Sequence, residues 1–133
     1  MTTDAVLAIQ NHAIHSQQYF ENAVSLLEQG EAAKSGELFW GSLAQAFQAL
    51  AVYKGQEVKT HRDLKNLAIQ LSRDLQDESV AIDFELAENL HFNFYVVQRE
   101  IEDIVLVLPA IERLRRRVFS LIPPELIERR TSI

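Results

Sequence analysis

Apolar residues recur at the spacing of an α-helix along almost the whole chain, and few glycines or prolines interrupt them. The sequence has four glycines and three prolines in 133 residues. No segment shows the alternation of apolar and polar residues that is typical of a half-buried strand. We therefore predict an all-α fold, an up-and-down antiparallel bundle of four to five helices.

Helix-ending residues divide this pattern into segments. Gly30 and Gly55 are predicted to end the first two helices. Thr60 is a predicted N-cap, and Asp63 stands where a capping box needs an acceptor. The predicted helices cover residues 3–29, 31–54, 61–76, 77 or 78 to between 93 and 95, and 99–121.

Prolines set expectations for the last third of the chain. Pro109 lies inside the fifth segment, and because it lacks a backbone N–H we expect a kink or a break between Val105 and Pro109. Pro123 and Pro124 are expected to end the regular structure. The tail, about residues 123–133, is expected to fray.

Composition narrows the class of protein. The chain is 47% apolar and 24% charged, which favours one globular domain over residues 1–133. It has no cysteine, which excludes disulfides and thiolate chemistry and fits a cytoplasmic location. No signal peptide and no membrane-spanning run are recognisable, so no membrane partner is expected. The formal charge of -6 weakens any general attraction to nucleic acid.

The stretch 88-ENLHFNFY-95 places a histidine among large apolar residues. On a helical wheel His91 falls on the same face as Val80, Phe84 and Ala87, and two interpretations remain open. It is a buried core histidine bonded to another helix, or a residue of a binding pocket. Glu88-x-x-His91 has the spacing of dimetal bundle proteins, but only one copy is present. Neither this motif nor the pair His12 and His15 predicts a metal site, and no cofactor is predicted.

Glu37 and the start of the third helix form a second group of candidates. Glu37 borders the apolar face of the second helix beside Trp40. It is either an ordinary boundary residue or a carboxylate that pairs with His61, Arg62 or His91. Positive groups are unfavourable at a helix N-terminus, so His61 and Arg62 need a partner there, such as Glu37 or a ligand.

The run 113-RLRRR-117 places Arg113, Arg116 and Arg117 on one side of the fifth helix. A solvated basic face is the ordinary interpretation of such a run, and a contact with RNA or nucleotide phosphate is the alternative. No aromatic residue is interleaved with the arginines, which weakens the case for stacking against single-stranded nucleic acid.

The segments 36-GELFWGSLAQAFQALA-51, Gly55, 61-HRDL-64 and 87-AENLHFNFY-95 together resemble the PaREP branch of the HEPN-like helical-bundle superfamily. The resemblance covers about residues 10–120, and its W-G and L-H-x-N-F-Y elements are specific only in combination. The matching positions are Glu37, Trp40, Gly41, Ala51, Gly55, His61, Ala87, Leu90, His91, Asn93, Phe94 and Tyr95.

This resemblance implies a HEPN-type bundle that forms a homodimer. Many HEPN proteins are RNases, often toxins of toxin–antitoxin pairs, and others accompany nucleotidyltransferase domains. The RNase signature is an arginine followed four to six residues later by a histidine, and it is absent here, so catalytic activity is not carried over.

Two hypotheses follow. In the first, the chain is a non-catalytic dimeric accessory or partner module with a structural polar network. In the second, it is a divergent RNase or nucleotide-binding protein. The candidate catalytic residues are His61, Arg62 and His91. The candidate binding residues are Glu37, Trp40, His61, His91, Asn93, Tyr95, Arg113, Arg116 and Arg117.

Overall fold

The computed structural model describes residues 1–92, without the side chain of Phe92, and residues 101–128. Within these ranges the chain is helical, with no strand, and it forms the predicted all-α bundle. None of the helices in them is long and apolar enough to cross a membrane. The helices are α1 (Thr3–Glu28), α2 (Ala32–Lys54), α3 (His61–Asp74), α4 (Glu78–Phe92), α5 (Ile101–Ser120) and α6 (Pro124–Ile127).

Helices α1 and α2 form a close hairpin. Gly30 adopts a φ of +78° in the short turn between them, a conformation that glycine tolerates best. A Cβ on Gly41 would lie 3.2 Å from Cδ2 of Tyr19, so the missing side chain lets α1 approach α2. The buried hydroxyl of Ser16 donates to the carbonyl oxygen of Ser42, which satisfies one polar group within this interface.

Helix α2 is the centre of the bundle, because it contacts α1, α3, α4 and α5. Six of its large or apolar residues, which recur at helical spacing, are buried: Phe39, Trp40, Leu43, Phe47, Leu50 and Ala51. Every other long helix contributes fully or nearly fully buried side chains to the same core, for example Ile9, Leu64, Phe84 and Ile111. The apolar periodicity therefore predicted the core correctly.

Helix α3 begins with the predicted capping box. The Thr60 hydroxyl accepts from the backbone N–H of Asp63 at 3.1 Å, and the Asp63 carboxylate accepts from that of Thr60 at 3.2 Å. The backbone N–H of Lys59 also donates to Asp63, and these bonds lower the pKa of its carboxyl. The loop before α3 starts at Gly55, whose φ of +70° ends α2 as predicted.

Two expectations were based on prolines. Helix α5 continues through Pro109, so of the predicted kink or break the break is wrong, and the kink stays a prediction. Pro109 removes the donor to the carbonyl oxygen of Val105, but Val105 is exposed and water can replace that donor. Pro124 does not end the regular structure but begins α6, since its fixed φ suits a first helical position. The remainder of the tail, residues 129–133, lies outside the described residues.

Candidate functional site

Three aromatic rings from three helices meet beside the core. The centroids of the Trp40 and His61 rings are 5.4 Å apart, those of Trp40 and His91 5.5 Å, and those of His61 and His91 5.5 Å. The ring planes differ by 30° or less. Trp40 is buried, whereas the two imidazoles are partly exposed. We call these rings and their carboxylate partners, Glu37 and Glu88, the histidine cluster.

His61 is held by a buried carboxylate on α4. Its Nε2 lies 2.6 Å from Oε2 of Glu88, and the ammonium group of Lys65 donates to the other oxygen at 3.3 Å. The Glu88 side chain is only 4% exposed, so it depends on these partners for compensation of its charge. His61 and Lys65 are one turn apart on α3, which brings both side chains to the same carboxylate.

Sequence reasoning missed this role of Glu88. It weighed Glu88 only as part of a metal motif and expected Glu37 or a ligand to hold His61. The partner is 27 residues away from His61 and on another helix, so no local spacing indicates the pair. The one available signal was its position, about 80° from Val80 on the α4 wheel, at the edge of the apolar face.

His91 bonds to another helix, as the core interpretation required, but it is not fully buried. Its Nδ1 lies 3.0 Å and 3.3 Å from the two carboxylate oxygens of Glu37 on α2. The side chain of His91 is 38% exposed and that of Glu37 is 34% exposed. His91 is therefore not the fully buried residue of the core interpretation. Ala87 and Leu90 of α4 are buried in the core, while the imidazole bonds to Glu37 on α2.

The remaining candidates near the histidine cluster have different positions. Arg62 is exposed in the first turn of α3, with no hydrogen bond or ion pair among the described residues. Asn93 and Tyr95 lie outside the described residues. His15 is exposed on α1, and Nδ1 of His12 lies 2.7 Å from Oε1 of Gln45. Neither of these last two histidines belongs to the cluster.

The three candidate arginines of α5 pair with carboxylates of this chain. Arg113 makes a bidentate contact with Asp83, with Nε and Nη2 each 2.9 Å from an oxygen. Asp83 is buried, and its hydrogen bonds raise the pKa of Arg113. Nη2 of Arg117 lies 3.2 Å from Asp77, and Nη2 of Arg116 lies 3.5 Å from Glu112. The phosphate interpretation would therefore need these pairs to open.

The histidine cluster has the parts of two carboxylate–imidazole pairs. In such a pair the carboxylate orients the imidazole ring. The contacts fix which nitrogen faces the carboxylate: Nε2 in His61 and Nδ1 in His91. Within the described residues, no three histidine, aspartate or glutamate side chains are grouped closely enough to hold a metal ion. The arrangement can bind a partner through exposed ring surface or exchange protons at the imidazoles.

The fold and this cluster define a small all-α protein with a polar and aromatic patch built on three helices. A model of the archaeal PaREP1/PaREP8 family matches residues 11–115, and the chain belongs to this family. A crystal structure of a protein from Sulfolobus solfataricus is similar with a TM-score of 0.72 and 15% identity, over 82% of this chain and 97% of that one. At this identity the likeness concerns the fold alone. No curated protein matches the chain.

Proposed function

We propose that the chain acts as one HEPN-like, non-catalytic module that forms a homodimer and serves as the partner or accessory of another protein. A toxin–antitoxin or nucleotidyltransferase pair is the context that the resemblance favours. The observation that carries the proposal is the histidine cluster, in which both imidazoles already contact carboxylates of the same chain.

The cluster joins three helices and still reaches the surface. Glu37 and Trp40 come from α2, His61 from α3, and Glu88 and His91 from α4. These contacts make the cluster a cross-link of the bundle, as a structural polar network requires. The exposed portions of the two rings offer an amphipathic surface of the kind that protein interfaces use, and exposed Arg62 follows His61 directly in the sequence.

Exposed apolar side chains on α4 and α5 support the dimer. On α4, Ile82 is 54% and Leu86 39% exposed, and on α5, Val105 is 51% and Leu106 79% exposed. Singly exposed apolar residues are ordinary, but several large ones on two helices that pack against each other favour an interface. Asn93 and Tyr95 stay predicted members of the network.

Replacing His91 tests the proposal. His91→Ala should lower the melting temperature and shift the mass measured by light scattering from dimer toward monomer, because it removes the Glu37 contact and one of the three rings. His15→Ala is the matched control, since this exposed α1 histidine lies outside the cluster. If the melting temperature and the mass of His91→Ala equal those of the control, the proposal fails.

A divergent RNase or nucleotide-binding protein is the second candidate. Two carboxylate-paired imidazoles 5.5 Å apart resemble an acid and a base placed on either side of a reacting group. In this alternative Arg62 adds positive charge, and Arg113, Arg116 and Arg117 would contact phosphate. Purified protein and a His61→Ala/His91→Ala double variant should then differ in cleavage of mixed RNA or in nucleotide binding. Equal behaviour of the two removes this candidate.

A further inference from the structure

Arg115 differs from its neighbours in the run 113-RLRRR-117, because it turns back onto α1. Its Nε donates to the hydroxyl oxygen of Ser16 at 2.8 Å, and its Nη2 donates to Oε1 of Gln17 at 2.7 Å. Its Cζ lies 5.2 Å from the Phe20 ring centroid and 5.3 Å from that of Phe119. Rings and hydrogen bonds thus fix the guanidinium plane before any ligand arrives.

One edge of this guanidinium remains available. The two contacts to α1 use the edge formed by Nε and Nη2. The other edge, formed by Nη1 and the second N–H of Nη2, has no acceptor among the residues that the structure describes. This edge presents two parallel N–H groups, which is the geometry that a carboxylate accepts from arginine.

The charge of Arg115 also lacks direct compensation. Arg113, Arg116 and Arg117 each pair with a carboxylate, whereas Arg115 pairs with none in residues 1–92 and 101–128. Glu21 accepts from the Gln17 amide at 2.9 Å and acts on Arg115 through space, without an ion pair among the described residues. Partial burial lowers the pKa of Arg115, and Glu21 offsets this only in part. An anion at the available edge would complete the compensation.

Arg115 also lines an open groove of about 360 Å³ between α1, α5 and α6. The other lining residues are mostly apolar: Ala13, Ile14, Gln17, Phe119 and Ile127. This volume is within the range of small-molecule sites, which combine apolar walls with few polar anchors. We propose that the groove binds a small monocarboxylate with a short apolar body, whose carboxylate accepts from the free edge of Arg115.

The groove excludes other ligand classes on chemical grounds. A cationic ligand would be repelled by the positive guanidinium group of Arg115. A neutral alcohol would leave that positive charge without a counter-charge. A highly charged phosphate ester would gain little from walls made of alanine, isoleucine and phenylalanine side chains. A carboxylate with a chain of a few carbons can contact both the guanidinium group and the apolar walls of the groove.

Titration of the isotope-labelled full chain with hexanoate, hexanol and hexylammonium tests the proposal by NMR. Hexanoate should give saturable shifts of the Arg115 Nε–H signal and of the backbone amides of Ala13, Ile14 and Phe119. It should bind about tenfold more tightly than hexanol, as expected for a charge-assisted bidentate contact. Hexylammonium should cause no saturable shift.

Variants locate the site. Arg115→Gln should weaken hexanoate binding by about tenfold, whereas Arg116→Gln, which removes the same charge one residue away, should leave it within about twofold. Ile127→Ser keeps the arginine and alters only the wall contributed by α6, so it should weaken hexanoate binding several-fold but not acetate binding. This variant decides the question if Arg115→Gln does not fold.

Three results would overturn the proposal. The first is equal affinity for hexanol and hexanoate. The second is an equal loss in Arg116→Gln and Arg115→Gln, which would indicate a general charge effect. The third is unchanged hexanoate binding in Ile127→Ser. None of these outcomes depends on the dimer or on the histidine cluster, so the proposed function stands or falls separately.

Discussion

Removing Arg113 should destabilise the bundle far more than removing Arg116, although both are exposed arginines on the same helix. Asp83, the partner of Arg113, has a side chain that is only 5% exposed. Glu112, the partner of Arg116, is 41% exposed. The substitution Arg113→Gln therefore leaves a buried carboxylate without its bidentate donor, whereas Arg116→Gln leaves a carboxylate that water can solvate.

The magnitude follows from these exposures. Removing one partner of a fully buried ion pair costs about 3–5 kcal/mol. A surface pair contributes about 0.2–1 kcal/mol. The Arg113 side chain is itself 60% exposed, so solvent screens the pair and the expected cost falls between the two ranges, at about 2 kcal/mol. For a chain of this length that cost lowers the melting temperature by about 4–10 °C.

Urea unfolding and thermal unfolding, both followed by circular dichroism, measure the difference. Arg116→Gln should change the free energy of unfolding by less than about 0.5 kcal/mol. The double variant Asp83→Asn/Arg113→Gln should recover part of the loss, because the stranded charge is then absent. Equal effects of the two single arginine variants would refute the claim that burial of Asp83 governs the pair.

Two further predictions concern the packing of α2 and the cap of α3. A Cβ on Gly36 would lie 2.9 Å from Cδ1 of buried Ile104. The substitution Gly36→Val should therefore lower the free energy of unfolding, measured by urea unfolding, by about 2 kcal/mol. The control Lys34→Val, at an exposed position of the same helix, should have a much smaller effect. The backbone N–H of Lys59 lowers the pKa of Asp63, so this carboxylate stabilises the fold above its unfolded pKa of about 3.9 and loses that effect as pH falls. Melting curves should show Asp63→Asn less stable than wild type at pH 7 and the difference shrinking below pH 4; a constant difference would contradict this.

The sequence predicted the helices well because each of their determinants is local. The N-cap at Thr60 and the glycine ends at Gly30 and Gly55 depend on residues within one turn, and all three are confirmed. The effect of a proline was harder to predict, because it is not set by local sequence alone. Whether Pro109 breaks a helix depends on what surrounds the carbonyl of Val105, and that is a property of the folded bundle rather than of the dipeptide.

The site was less predictable because its contacts connect different helices. A helical wheel gives the direction of a side chain but not the identity of the helix opposite. It therefore indicated that His91 needs a partner and offered Glu37 as one choice. It could not show that Glu88 holds His61, or that Arg115 contacts Ser16. Both contacts depend on packing between distant segments.

The two buried acids of α4 explain how the histidine cluster acquires its position. Asp83 and Glu88 are separated by about 140° around the helix. Asp83 pairs with Arg113 of α5, and Glu88 pairs with His61 of α3. Rotating α4 in either direction would strand one of these carboxylates, so the two pairs together define its orientation in the bundle. With α4 held in this way, His91 faces Trp40 and the edge of α2, where Glu37 is within hydrogen-bonding distance. The geometry of the cluster is thus a consequence of charge pairing on both sides of α4, which apolar packing alone would not specify.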